Sequence, residues 1–279
     1  MLINGVASDA ISSLDRGLHY GDGLFETIAV KNGKLQLWDQ HMQRLADGCD
    51  RLGLPEIDPE LLHGEATRLF SEKNNDPQAI LKIIVTRGVG GRGYHSPETP
   101  SVTRILLRYP WPSLPDHHWQ EGIHVVVCKT RLGSNPVLAG MKHLNRLEQV
   151  MASREWCEPE VQEGLMLDQQ GNVIEGTRTN LFIIKNNQLI TPDLSMCGVK
   201  GVMRGEIINN IAKRLGIKVH MTAVNQETLA AADELFLCNS IIGIWPVKSF
   251  GKTVYSRFYL TRKLMNSLEQ QLAHRGIDL

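Results

Sequence analysis

Lys142 lies in the run Ala139-Gly140-Met141-Lys142-His143-Leu144-Asn145, and Glu175 follows in Val173-Ile174-Glu175-Gly176-Thr177. A lysine amine can form a Schiff base with an aldehyde. A carboxylate can keep a pyridine nitrogen protonated. Those are two demands of pyridoxal phosphate chemistry. Most lysines are solvated surface residues. Here the small apolar neighbours at 139–141 would desolvate the amine in part and free its neutral, nucleophilic form. Glu175 alone reads as a hairpin charge facing water. With Lys142 upstream and Thr177, Thr179 and Asn180 nearby, it reads as an oriented carboxylate.

Such chemistry needs a phosphate anchor. Gly201-Val202-Met203-Arg204 opens an expected helix, and backbone N–H groups at a helix start bind anions. The same residues also suit a plain loop-to-helix turn. Arg44 sits about a third of a turn off the apolar stripe of its helix and could face an interdomain cleft or solvent. The glycine-rich stretch Arg87-Gly-Val-Gly-Gly-Arg92-Gly-Tyr94 lacks P-loop spacing. A glycine-flanked Arg92 suits capture of a substrate carboxylate; a flexible hairpin tip fits the pattern as well.

The elements that must position these groups are legible from periodicity. Residues 24–37 read as a hairpin turning at Asn32-Gly33. Trp38, Met42, Leu45, Cys49 and Leu52 recur at steps of four and three, marking a helix that Gly53 and Pro55 end. A second helix is expected over 58–73, with strands over 79–86 and 102–108. Three prolines within 109–116 suggest a linker. Beyond it come a strand from Ile123, a helix from His143 to about Trp156, and a hairpin over 164–184 turning at 170–172. A helix over 203–215, a strand at 235–238 and an amphipathic helix over 256–273 complete the chain. A helix from 143 would place Lys142 at its mouth, and His143 would then face away from its neighbour. Strands and helices mix in both halves, which is α+β rather than a doubly wound parallel fold.

Bulk properties narrow the function. The 279 residues carry 30 basic and 30 acidic side chains, so no global field draws nucleic acid or an anionic membrane. The five cysteines form no Cys-x-x-Cys pair, so no metal site is expected. An odd cysteine count and the absence of a leader pattern fit a cytoplasmic location. No run is long enough to span a membrane. No Gly-x-Ser-x-Gly elbow supports a hydrolase.

Taken together, the segments resemble the fold-type IV pyridoxal-phosphate enzymes. These include branched-chain and D-amino acid aminotransferases and aminodeoxychorismate lyases. The resemblance is carried, in order, by Asp15-Arg16-Gly17, Tyr20-Gly-Asp-Gly-Leu-Phe25-Glu26-Thr27, His41-x-x-Arg44-Leu45, Lys142-His-Leu-Asn145, Glu175-Gly176 with Asn180-Leu-Phe182, and Gly201-Val-Met-Arg204. It implies a two-domain α+β fold: a smaller N-terminal α/β domain over 1–112, a linker at 113–118, and a larger C-terminal cofactor-binding domain with mixed sheets over 119–279. Pyridoxal 5'-phosphate would lie at the domain interface, and the protein would be a homodimer, with Tyr109, Trp111 and Trp119 as indirect support. Lys142 would carry the Schiff base and Glu175 would contact the pyridine nitrogen. Arg44, the backbone at Val202 and Met203, and the turn at Ser240 and Ile241 would hold the phosphate. Ile241 stands where some aminotransferases have a hydroxyl residue, and Phe25 where some have tyrosine in the substrate site.

Within that family, residues 87–94, Thr103-Arg-Ile-Leu, the stretch 131–140 and Lys142-His-Leu-Asn-Arg-Leu-Glu-Gln-Val150 are similar to the aminodeoxychorismate lyases. That implies a carbon–oxygen lyase acting in folate biosynthesis, converting 4-amino-4-deoxychorismate to 4-aminobenzoate and pyruvate. Lys142 would also move the proton, Arg92 would grip a carboxylate, and Thr27 would help protonate the leaving oxygen. The alternatives are a branched-chain or D-amino acid aminotransferase of the same fold, or a non-catalytic ligand-binding relative. A mere binder would need neither Lys142 nor Glu175.

Overall fold

Asn32 and Gly33 both take positive φ (51° and 73°), the backbone a two-residue hairpin turn requires. They join β3 (Gly23–Lys31) to β4 (Lys34–Leu35). The computed structural model describes residues 1–71, 76–273 and 275–279. Two compact units emerge. One comprises Met1–Pro112, Met141–Asn145 and His274–Leu279; the other comprises Ser113–Gly140 and Arg146–Ala273.

The first unit holds β1 (Leu2–Ile3), β2 (Val6–Ala7), α1 (Arg16–Tyr20), β3, β4, α2 (Trp38–Leu52), α3 (Pro59–Phe70), β5 (Gln78–Thr86) and β6 (Thr103–Pro110). Its antiparallel sheet runs in the order Ile277–Asp278, β4, β3, β5, β6, β1, β2. α2 buries Trp38, Met42, Leu45 and Cys49, four of the five residues of its apolar stripe, and its C-cap is Gly53 at φ 60°. Asp58 caps α3 by accepting from the Glu60 N–H, with Pro59 in the first turn. The helix expected over 58–73 is described to Phe70; residues 72 and 73 lie outside the described residues. β6 runs on through Tyr109 and Pro110, which pair with Ile80 and Ala79, so the proline-rich stretch begins inside a strand.

The second unit holds α4 (His117–Gln120), β7 (Ile123–Leu132), α5 (Leu147–Ala152), β8 (Val161–Asp168), β9 (Val173–Gly176), β10 (Asn180–Lys185), β11 (Gln188–Pro192), α6 (Val202–Glu206, continued by a π-helical stretch Ile207–Ala212), β12 (Val219–Thr222), α7 (Gln226–Ala230), β13 (Glu234–Asn239), β14 (Gly243–Phe250), β15 (Thr253–Val254) and α8 (Tyr259–Ala273). The sheet order is β12-β11-β10-β13-β14-β7-β8-β9, with β15 on β14. It is mixed: β11/β12, β14/β7 and β7/β8 are parallel and the other pairs antiparallel. Its core gathers Ile123, Leu165, Leu181, Leu235, Leu237 and Trp245. The fold is therefore α+β with two sheets, as expected.

Two local expectations are corrected. The helix from His143 to Trp156 is only Leu147–Ala152. Residues 142–144 instead lie extended along β3: Phe25 N–H donates to the Lys142 carbonyl and Leu144 N–H to the Gly23 carbonyl, both at 3.0 Å. Pairing with a strand edge distant in sequence overrides the local helical pattern. The 164–184 hairpin is really β8 and β9 alone; the turn at 177–179 sends β10 to a different partner, β13. Trp119 is half-buried: its Nε1–H donates to the Ile242 carbonyl at 2.8 Å, and its ring packs edge-on to Trp245. It packs against the core of its own unit. Among the described residues no helix is long and apolar enough to cross a membrane.

Candidate active site

In the first unit, the extended 142–144 segment brings Lys142 to β3. Its Nζ stands 4.4 Å from the centroid of the Phe25 ring, and Lys82 Nζ stands 5.4 Å from the same centroid. Both distances lie within cation–π range. Side chains alternate along a strand, so Thr27 shares the Phe25 face of β3 while Glu26 points to the other. Lys142 is half-buried; the preceding Met141 is buried.

Glu26 is buried against α2. His41 Nδ1 lies 2.6 Å from Glu26 Oε2, Arg44 Nε donates to Glu26 Oε1 at 2.8 Å, and Arg44 Nη2 donates to Oε2. The spacing of three between His41 and Arg44 puts both on one face of α2. Arg44 thus lies on a strand carboxylate rather than in open solvent. Burial pushes the Glu26 carboxyl up, but the charges and hydrogen bonds of Arg44 and His41 outweigh it and hold it at about 2. Burial pushes His41 down, against the pull of Glu26. A carboxylate only accepts, so the His41 proton facing it is on Nδ1.

A stability prediction follows from the sign of the Glu26 shift. Its folded value lies below the ordinary 4.5, so as pH falls the unfolded chain takes up this proton first. The contribution is intact above about 4.5 and is lost on the way down to about 2. Glu26→Gln should cost about 3 kcal/mol at neutral pH, because it strips the partly buried Arg44 of its buried counter-charge. It should also flatten the acid limb of the urea midpoint between about pH 4.5 and 2. An unchanged acid limb in the variant would place the pH dependence elsewhere.

In the second unit, Glu175 lies on β9, 4% exposed, and its Oε2 accepts the Val199 N–H at 2.8 Å. Gly198, at φ 82°, makes this approach possible: a Cβ there would meet Ile174 and Leu194 side-chain carbons under 3.0 Å away. Asn180 holds the next residues, donating to the Val199 carbonyl at 2.9 Å and accepting from the Gly201 N–H at 3.1 Å. The chain then enters α6 at Gly201, with no side chain capping the helix and with Val202 and Met203 buried. Arg204 points inward, donating to Thr191 Oγ1 and the Pro192 carbonyl. Ser240 and Ile241 lie in the turn between β13 and β14, where Asn239 Oδ1 accepts the Ile241 and Ile242 N–H groups at 2.8 and 2.9 Å. The Ile241 amide is therefore engaged within the turn itself.

Sequence reasoning passed over Glu163 on β8. This fully buried carboxylate accepts from Thr177 N–H and Oγ1 and from Thr179 Oγ1, which shapes the turn just after Glu175. The signal was there: a glutamate inside an apolar strand must find partners. Asn239, just before a turn, carried the same kind of signal. Arg92 lies in an exposed segment between β5 and β6. Among the described residues no group of three or more His, Cys, Asp or Glu could hold a metal.

The family model for amino-transferase class IV matches residues 23–250, a stretch that contains Phe25, Arg44, Lys142, Glu175 and the start of α6. The chain belongs to this family. The aminodeoxychorismate lyase of Vibrio harveyi is 37% identical over 95% of this chain and 98% of its own length. The crystal structure of the 4-amino-4-deoxychorismate lyase of Pseudomonas aeruginosa superposes with a TM-score of 0.92 at 44% identity, covering 97% of this chain and 98% of that one. The branched-chain-amino-acid aminotransferase of Escherichia coli is 31% identical over 85% of this chain and 78% of its own length. The class IV family uses pyridoxal phosphate.

Proposed function

We propose that this protein is a 4-amino-4-deoxychorismate lyase, releasing pyruvate and 4-aminobenzoate. One observation carries the reading: 44% identity to the Pseudomonas aeruginosa lyase along essentially the whole of both chains. The likeness to the Escherichia coli aminotransferase is lower and less complete.

The residues present fit pyridoxal phosphate. Glu175 is a buried carboxylate oriented by a backbone N–H, as a partner for a protonated ring nitrogen requires. The first turn of α6 has no side-chain cap, which suits its amides at Val202 and Met203 to phosphate. In this reading Lys142 holds the aldehyde and Glu175 the ring nitrogen. The α6 amides, Arg44 and the turn at Ser240 and Ile241 serve the phosphate. With the Ile241 amide engaged by Asn239, Ser240 is the stronger contributor at that turn. Bound there, the cofactor supplies an electron sink for the amine-bearing carbon of the substrate.

The protein's own groups then do the rest. The Lys142 amine takes the proton from the substrate ring carbon that bears nitrogen. The resulting ammonium sits over the Phe25 ring, a contact worth roughly 0.5–2 kcal/mol that favours proton uptake. The bond from ring carbon to the enolpyruvyl ether oxygen breaks, and the ring becomes aromatic, which makes the step downhill. Thr27, on the Phe25 face, hydrogen-bonds the departing oxygen, and a proton returned to the enolpyruvate completes pyruvate. Arg92 grips a substrate carboxylate by paired charged hydrogen bonds. The working protein is a cytoplasmic homodimer.

The direct test incubates the purified protein with 4-amino-4-deoxychorismate and no 2-oxo acid. Pyruvate and 4-aminobenzoate should form in equal amounts. Glutamate formation from 2-oxoglutarate and an amino acid, without 4-aminobenzoate, would make it an aminotransferase instead.

A further inference from the structure

We infer that Arg16 is a positioning residue for substrate recognition: it fixes the glycine-rich loop that carries Arg92. The inference rests on the carboxylate-binding role given to Arg92 above.

Arg16 is 3% exposed, at the start of α1. Its guanidinium donates to three successive loop carbonyls: Gly93 at 3.0 Å, Tyr94 at 3.0 Å and His95 at 3.3 Å. Nε donates to Asp22 Oδ2 at 2.9 Å, and Arg87 donates to the same carboxylate. The base of the clamp is itself held. Asp15 caps α1 through the Gly17 N–H and accepts from Thr86 and Thr103 hydroxyls on β5 and β6. The Arg16 N–H donates to the Gly88 carbonyl at 2.9 Å. The guanidinium lies 4.9 Å from the Tyr20 ring centroid, and Tyr20 meets Tyr94 edge-on at 5.4 Å. The loop passes this close because residue 90 is glycine: a Cβ there would lie 2.5 Å from Arg16 Cδ.

Residues 91–95 are exposed, so their own side chains pack too little to fix the backbone. Burying a guanidinium is costly. Here that cost is set against one carboxylate and three carbonyls that water could have served. The arrangement gives the loop one shape, and with it a defined reach for Arg92. A lysine could hold the charge near Asp22 but could not fork to three carbonyls.

The test compares wild-type holoenzyme with Arg16→Lys, Gly90→Ala and Arg92→Ala. Gly90→Ala crowds the same contact from the loop side, and keeps the question open to measurement if Arg16→Lys does not fold. Trypsin cleavage after Arg92 should speed up about tenfold in both loop-anchor variants, as local opening becomes easier. KM for 4-amino-4-deoxychorismate should rise about tenfold with kcat within about twofold, and adding Arg92→Ala to Arg16→Lys should cost little more than either alone. Unchanged cleavage overturns the anchor. Faster cleavage with unchanged KM overturns the role in recognition. If Arg92→Ala leaves KM unchanged, or the wild type makes no 4-aminobenzoate, the reading of Arg92 has failed and takes the recognition role with it. The cleavage rates still decide whether Arg16 holds the loop.

Discussion

Lys142→Ala should reduce kcat by at least about 10³-fold, within the roughly 10²–10⁴-fold that a positioned proton carrier contributes, with loss of the covalent hold on the cofactor added to it. The substitution is chemically clean. Lys142 meets β3 through its backbone carbonyl, which accepts the Phe25 N–H at 3.0 Å whatever the side chain. The extended segment at 142–144 should therefore survive, and the stability read from urea titration should fall by no more than about 2 kcal/mol, the upper value of the lost contact with the Phe25 ring. Borohydride should fix the cofactor covalently to the wild type and not to the variant. A small external amine should restore part of the turnover, since it replaces the base but not its positioning. Retention of a tenth of wild-type activity would remove Lys142 from the mechanism.

Glu175→Gln should lower kcat about 10²-fold, equivalent to roughly 2.7 kcal/mol of transition-state stabilisation. The amide keeps an oxygen for the Val199 N–H, so the path from Val199 through Gly201 into α6 need not shift. What disappears is the negative charge, and with it the preference for a protonated pyridine ring. The visible absorption of bound cofactor should change, and Glu175→Asp should recover only part of the rate because its carboxylate is one methylene short. Burial pulls the Arg146 guanidinium down while Glu175 and Glu148 push it back up, so the variant also leaves this half-buried cation with less compensation. A separate urea titration distinguishes that cost: lower stability with normal kcat and an unchanged spectrum would make Glu175 a structural partner of Arg146 rather than of the ring.

Much of this is legible in the sequence because the determining interactions are local. Asn32-Gly33 turns the β3–β4 hairpin through its own backbone preferences, and the apolar stripe of α2 needs only the 3.6-residue period. The types and order of Lys142, Glu175 and the glycine opening α6 were likewise visible. Their surroundings were not. The helical pattern after His143 was outcompeted by hydrogen bonds to Gly23 and Phe25, some 120 residues earlier in the chain. Arg44 sits off the apolar stripe in the sequence, but only the packing of α2 on β3 brings it to Glu26, 18 residues away. Glu175 draws its backbone donor from 24 residues further on. The chemical alphabet and the regular elements depend on neighbours along the chain. The environment of each reactive group depends on burial and on partners that only the folded chain brings within 3 Å, where desolvation and pairing decide what a charge can do.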